Sequence, residues 1–159
     1  MDPISQNYLD QYGSLLSPDM RTQSRKTDAY HFCADEKNAD LCAQLVLKGE
    51  KRATASLLWA YADEDEPLPE IGQLTVISNW AKIPQCVVET TSVVIRPFNE
   101  VDAEFAYEEG EGDKSIAYWR SVHWASFSNE CQRLGRQPDE QMPVVLERFK
   151  VVFKDKTAQ

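Results

Sequence analysis

The chain has 159 residues, 42% of them hydrophobic and 27% charged. That length suits one domain that buries roughly 70% of the surface its unfolded form exposes, and the composition excludes wholesale disorder, a collagen-like repeat and a coiled-coil rod. Seventeen basic against 26 acidic residues leave a net charge of −9, a field that repels polyphosphate and disfavours tight, nonspecific binding of long nucleic acid. No apolar run approaches the roughly 18 residues that span a bilayer, and the N-terminus lacks the basic flank and apolar stretch of a signal peptide. The expectation is a cytoplasmic protein with no membrane association.

In chain order, residues 1–34 read as an N-terminal extension, helical in part, with Ser17-Pro18 breaking any helix there. From Asp35 the pattern sharpens. Leu41, Cys42, Leu45 and Val46 recur at helical spacing, and Lys48-Gly49 supplies a last-turn cation and a glycine stop. Residues 51–60 predict a strand entered through a turn, followed by an acidic loop over Asp63–Glu66 and the Pro67/Pro69/Gly72 cluster. Leu74–Ser78 and the β-branched run within Cys86–Arg96 predict two further strands, the second closed by Pro97. Asp102 caps a short predicted helix that stops at Gly110, Asp113 caps a longer one through about Cys131, and Val144–Phe153 closes the chain as a strand. Several short strands with little alternating helix argue against a doubly wound parallel sheet. The expected fold is α+β, a small, partly closed β-barrel with helices packed outside, over residues 35–159.

Three groups of residues could carry chemistry. Lys51 and Thr54 stand three apart after the helix stop, and they can cooperate only if Lys51 lies in the turn before the strand, because positions 51 and 54 of a regular strand face opposite sides. A lysine whose pKa is lowered by burial, or by Lys48 and Arg52, could accept a proton from Thr54. The plainer reading is a solvated Lys-Arg pair beside a strand threonine. The second group is the acidic run from Asn99 to Asp113. Helix caps and solvated faces account for part of it, and a divalent-cation site would need two or more of its side chains to converge. Glu109 sits at a helix C-terminus, where the dipole raises a carboxyl pKa and suits it to donate a proton. The third is the helix 115–131, whose Ile116, Trp119, His123 and Phe127 share one face while Trp124 lies off it. A packed core face with a hydrogen-bonded histidine is the plainer reading, and a wall for a base-binding pocket the other. Cys33, Cys42, Cys86 and Cys131 show no zinc-type spacing and are expected to be reduced, mostly packed thiols.

Gly49-x-Lys51-x-x-Thr54, the strands that follow, and Pro97-Phe98-Asn99-Glu100-Val101 leading into Ala106-x-x-Glu109-Gly110 resemble the ASCH (activating signal cointegrator homology) domain family, here its longer bacterial branch. The resemblance implies a PUA-like barrel and an association with RNA. Smaller members of the family are amidohydrolases that deacetylate N4-acetylcytidine, and the match implies their roles for Lys51 (proton acceptor), Thr54 (nucleophile) and Glu109 (proton donor). Arg52, Trp119, His123 and Trp124 are the expected substrate-binding residues. The expected partner is a modified cytidine nucleoside or single-stranded RNA, with no cofactor and no metal. The longer branch is also linked to metal-assisted cleavage of single-stranded RNA, which would call for Mg²⁺ or Mn²⁺, and a noncatalytic RNA-binding module is the third alternative.

Overall fold

The computed structural model describes residues 1–15 and 29–154; the expected break at Ser17-Pro18 lies outside them. Its elements are helix α1 (Pro3–Gly13), helix α2 (Glu36–Leu47), strand β1 (Ala53–Leu57), helix α3 (Leu58–Asp63), strand β2 (Leu74–Ser78), strand β3 (Pro84–Pro97), a 3₁₀ turn (Phe98–Glu100), helix α4 (Ala103–Glu109), helix α5 (Ile116–Leu134) and strand β4 (Pro143–Phe153). The four strands form one antiparallel sheet in the order β1-β4-β3-β2. Register shifts along β3, at Val87/Val88 and Thr90/Ser92, bend this long strand, and bulges of this kind increase twist and curl a sheet into a partial barrel. Among the described residues no helix is long and apolar enough to cross a membrane.

The period of two in β1 sets the architecture around the site. Ala53 and Leu57 point into a core shared with Phe105 and Ala106 of α4, Trp119 and Phe127 of α5, and Val144 and Leu146 of β4. Thr54 and Ser56 alternate onto the other face, where Glu147 and Phe149 of β4 join them around a cleft. A second core packs Cys42 and Val46 of α2 against Phe32, Ile77, Val88 and Phe149. Helix α1 lays Tyr8 and Leu9 on Leu74, Val76 and Val87.

Two local expectations are corrected. Residues 58–63 form α3 rather than extending the strand to residue 60. Leu57 pairs with Val144, and the next residue of β4 is Pro143, which has no N–H to continue the ladder. The cap of α5 is Ser115, whose Oγ accepts from the Tyr118 N–H at 3.1 Å, while Asp113 accepts from the Ser115 N–H at 2.9 Å. Asp102 caps α4 as the sequence predicts, and Asp35 caps α2. Of the four cysteines, Cys33 is exposed and the other three are buried.

Candidate active site

Lys51 lies in the turn between α2 and β1. Its backbone N–H and that of Glu50 both donate to the Leu45 carbonyl, at 3.1 and 2.9 Å, where α2 has ended and Gly49 takes φ of +75°. The lysine therefore escapes the strand alternation and turns inward, its side chain 2% exposed. Its Nζ donates to the carbonyl of Ala53 at 2.9 Å, to that of Glu109 at 3.4 Å, and to Glu111 Oε2 at 3.0 Å. The Phe32 ring centroid lies 5.0 Å away. A buried ammonium is tolerated only when its donors are met, and here three oxygens meet them.

The end of α4 is fastened to the same turn. The Arg52 N–H donates to the Glu108 carbonyl at 2.8 Å, and Glu108 Oε2 accepts from Arg148 Nε at 2.6 Å. Gly110 has φ of +72°, and a Cβ there would overlap the Glu50 carbonyl. This close approach brings Glu109, 1% exposed, into the site. Its Oε2 is 3.2 Å from Nε2 of His123, whose Nδ1 contacts the Trp119 carbonyl at 2.9 Å. The imidazole stacks on the Trp119 indole with ring centroids 4.2 Å apart.

The electrostatics differ from the sequence expectation at both catalytic candidates. Burial favours neutral Lys51, but the carboxylates of Glu109 and Glu111 outweigh it, so its pKa is raised instead of lowered. For Glu109, burial pushes the carboxyl up, and Lys51 and His123 overcome this and hold it below the ordinary range. His123 is itself held above its usual value because Glu109 outweighs its burial. The resting site is a buried cluster of paired charges.

Thr54 is separated from this cluster by one peptide. Its side chain lines a cleft of about 780 Å³ together with Tyr30, Phe32, Ser56, Glu147 and Phe149. No hydrogen bond joins Thr54 to Lys51 or Glu109 among the described residues. Glu147 stands cross-strand from Thr54, accepts from Thr90 Oγ1 at 3.0 Å, and has its carboxyl pKa raised by burial.

The expected substrate-binding residues disperse. Trp119 is 2% exposed and one face is taken by His123, so it backs Glu109 and offers a base no open surface. His123 is the packed, partnered histidine of the plainer reading. Trp124 is partly exposed and meets Phe98 edge-on, with centroids 5.5 Å apart. Arg52 points its side chain to solvent. The acidic run is distributed in the same way. Asp102 and Asp113 cap or brace helices, Glu108 pairs with Arg148, and Glu109 and Glu111 flank Lys51. No three of its carboxylates converge on one point among the described residues. Sequence reasoning missed Glu147, whose signal was an acid interrupting the apolar run Val144–Phe149, and the aromatic walls Tyr30 and Phe32, which lie in a segment without periodicity.

The comparisons with known proteins follow this geometry. The family model for the ASCH domain matches residues 28–153. The chain belongs to the ASCH domain family. A crystal structure of an ASCH domain from Lactobacillus crispatus JV V101 is 46% identical, covers 96% of each chain and superposes with a TM-score of 0.91. A protein from Enterococcus faecalis V583 is 32% identical over 92% of this chain and 84% of its own, with a TM-score of 0.76. No curated protein matches. The curled half-barrel is thus the PUA-like α+β fold of ASCH domains, a fold associated with RNA binding.

Proposed function

We propose that this ASCH protein is an amidohydrolase that removes the acyl group from N4-acylated cytidine. The observation that carries the reading is the burial of Lys51 and Glu109, 2% and 1% exposed, against the peptide that carries Thr54 into an open cleft. Buried ionisable groups of opposite sign beside a hydroxyl are an arrangement suited to general acid–base and nucleophilic catalysis. The cleft volume suits a nucleoside, within the usual range of roughly 300–1,000 Å³ for small-ligand sites.

The resting pair, an ammonium and a carboxylate, differs from the reactive pair by one proton moved from Lys51 to Glu109. That shift leaves an amine as base and a carboxylic acid as donor. Thr54 Oγ1 then attacks the acyl carbonyl and its proton passes to Lys51 by way of one bridging water, since the two side chains are not directly hydrogen-bonded. The bond from the acyl carbon to N4 breaks as N4 takes the proton of Glu109, giving cytidine and an acyl-threonine ester, and water hydrolyses the ester to regenerate Thr54. The route through Thr54 needs no cofactor. In this reading the base lies in the cleft against Tyr30, with Glu147 beside Thr54 as a polar contact.

The test is turnover of N4-acetylcytidine followed by the change in ultraviolet absorbance as cytidine forms. Wild-type protein should convert it, and Thr54→Ala, Lys51→Ala and Glu109→Ala should each slow the reaction by orders of magnitude, because members of one catalytic unit fail together. Unchanged activity in Thr54→Ala would remove the nucleophile from the scheme, and absence of turnover by wild type would remove the substrate.

A further inference from the structure

Cys33, Cys42 and Glu111 come from three separate segments: the chain before α2, the inner face of α2, and the loop after α4. We infer that these three side chains form a binding site for one zinc-class divalent cation, a site whose carboxylate also contacts Lys51. The sulfurs of Cys33 and Cys42 are 3.7 Å apart, and Cys42 Sγ is 3.3 Å from Glu111 Oε1. One ligand atom from each of the three lies within 4.8 Å of the others. With Zn–S near 2.3 Å and Zn–O near 2.0–2.2 Å, two sulfurs on a tetrahedral ion stand about 3.8 Å apart and a sulfur and an oxygen about 3.5 Å. The observed separations are close to both, and a small rotation of exposed Cys33 brings in the third edge.

Three further features suit the ion. Glu111 Oε2 is held by Lys51 Nζ at 3.0 Å, an outer contact that fixes the carboxylate while Oε1 faces the sulfurs. The charges also balance: two thiolates, one carboxylate, a dication and the Lys51 ammonium sum to zero, which favours a partly buried site. Access is available, since Cys33 is exposed and Glu111 is 29% exposed, leaving room for water as the fourth ligand. Thiolate donors select zinc-class ions over Mg²⁺ and Mn²⁺, which prefer oxygen. The bound ion ties the segment carrying Phe32 to α2 and to the loop beside Glu109.

Full-length protein, stripped of metal and kept reduced, would be titrated with Zn²⁺ against a chromophoric chelator and with Co²⁺ followed by absorption. The expected result is one ion per chain, thiolate-to-cobalt charge-transfer bands in the near ultraviolet, and a thermal stabilisation by Zn²⁺ that Mg²⁺ and Mn²⁺ do not reproduce. Loss of an outer partner costs roughly 10–100-fold in metal affinity, so Cys33→Ser, which removes a ligand, should cost at least that much. Glu111→Gln should also weaken binding. Cys42→Ser removes a buried thiol and risks the fold, which makes exposed Cys33 the deciding position. No binding by the reduced wild type, or wild-type affinity in Cys33→Ser, overturns the site. Neither outcome depends on whether N4-acetylcytidine is a substrate.

Discussion

Lys51 Nζ donates to the Ala53 carbonyl at 2.9 Å, so the buried ammonium rests on the peptide bond whose far side is Thr54. That contact links the charge cluster around Glu109 to the cleft without a side-chain hydrogen bond between them. The lysine is held by geometry first, since three oxygens fix its position before any substrate arrives.

Lys51 pairs directly with Glu111 at 3.0 Å and its ammonium also favours the charged form of buried Glu109, so removing it leaves two carboxylates short of a cation, at a cost of up to about 3–5 kcal/mol. Lys51→Met should destabilise the protein by an amount in that range, as measured by urea unfolding. Adding Glu109→Gln to Lys51→Met should restore part of the loss, because one of the two carboxylates left facing the empty position is then neutral. Strict additivity of the two substitutions would mean that Lys51 and Glu109 do not interact.

Gly110→Ala should be markedly more destabilising than Gly49→Ala. Both glycines have positive φ, +72° and +75°, but a Cβ at Gly49 meets nothing within 4 Å whereas at Gly110 it overlaps the Glu50 carbonyl. The left-handed backbone alone costs an alanine about 1–2 kcal/mol, and Gly110→Ala must in addition push α4 away from the Lys51 turn. Equal losses in chemical denaturation would mean that this close approach does not matter.

Glu147 supplies a pH signature. Its folded-state pKa is raised above the ordinary 4.5, mainly by burial, so the folded protein binds this proton more tightly than the unfolded chain. Stability from this group is complete below pH 4.5 and is lost as pH rises through the raised value. Glu147→Gln keeps an acceptor for Thr90 and has no charge to bury. Its melting temperature should exceed that of wild type near pH 8, with the difference vanishing toward pH 4. A constant difference across that range would show that Glu147 titrates as it does in the unfolded chain.

Salt separates nucleoside from polymer. Binding of single-stranded RNA weakens with salt at a logarithmic slope of roughly −0.7 per phosphate neutralised, while a neutral nucleoside releases no counterions. With a net charge of −9, kcat/KM on N4-acetylcytidine should change little between low and moderate salt. Submicromolar binding of a labelled single strand with a slope of several units would mark RNA as the partner.

Much of the site's framework was legible from local rules. Asp102 as a cap, Gly110 as a helix stop and the β-branched strand around Val93 are encoded within a few residues, and each forms where the pattern puts it. The strand expected from residue 51 begins only at Ala53, because the Glu50 and Lys51 N–H groups both turn back to the Leu45 carbonyl, and this meets the condition the sequence set for Lys51 to lie in the turn. The end of β1 was not legible, since it depends on Pro143, 86 positions beyond Leu57, lacking a donor for the ladder.

The fold class was readable in one dimension because caps, turns and period-two patterning act over short spans, and the ordered motifs from Gly49 to Gly110 marked the family by resemblance. The charge states were set in three dimensions. Whether buried Lys51 loses or keeps its proton depends on Glu109 and Glu111, some sixty residues away, reaching the same few ångströms. The pairing of Cys33 and Cys42 with Glu111, the placement of Glu147 across from Thr54 and the withdrawal of Trp119 into the core were decided in the same way. Coulomb interactions, ligand geometry and burial depend on distance in space, and distance in space is set only when the sheet curls and α4 closes onto the turn.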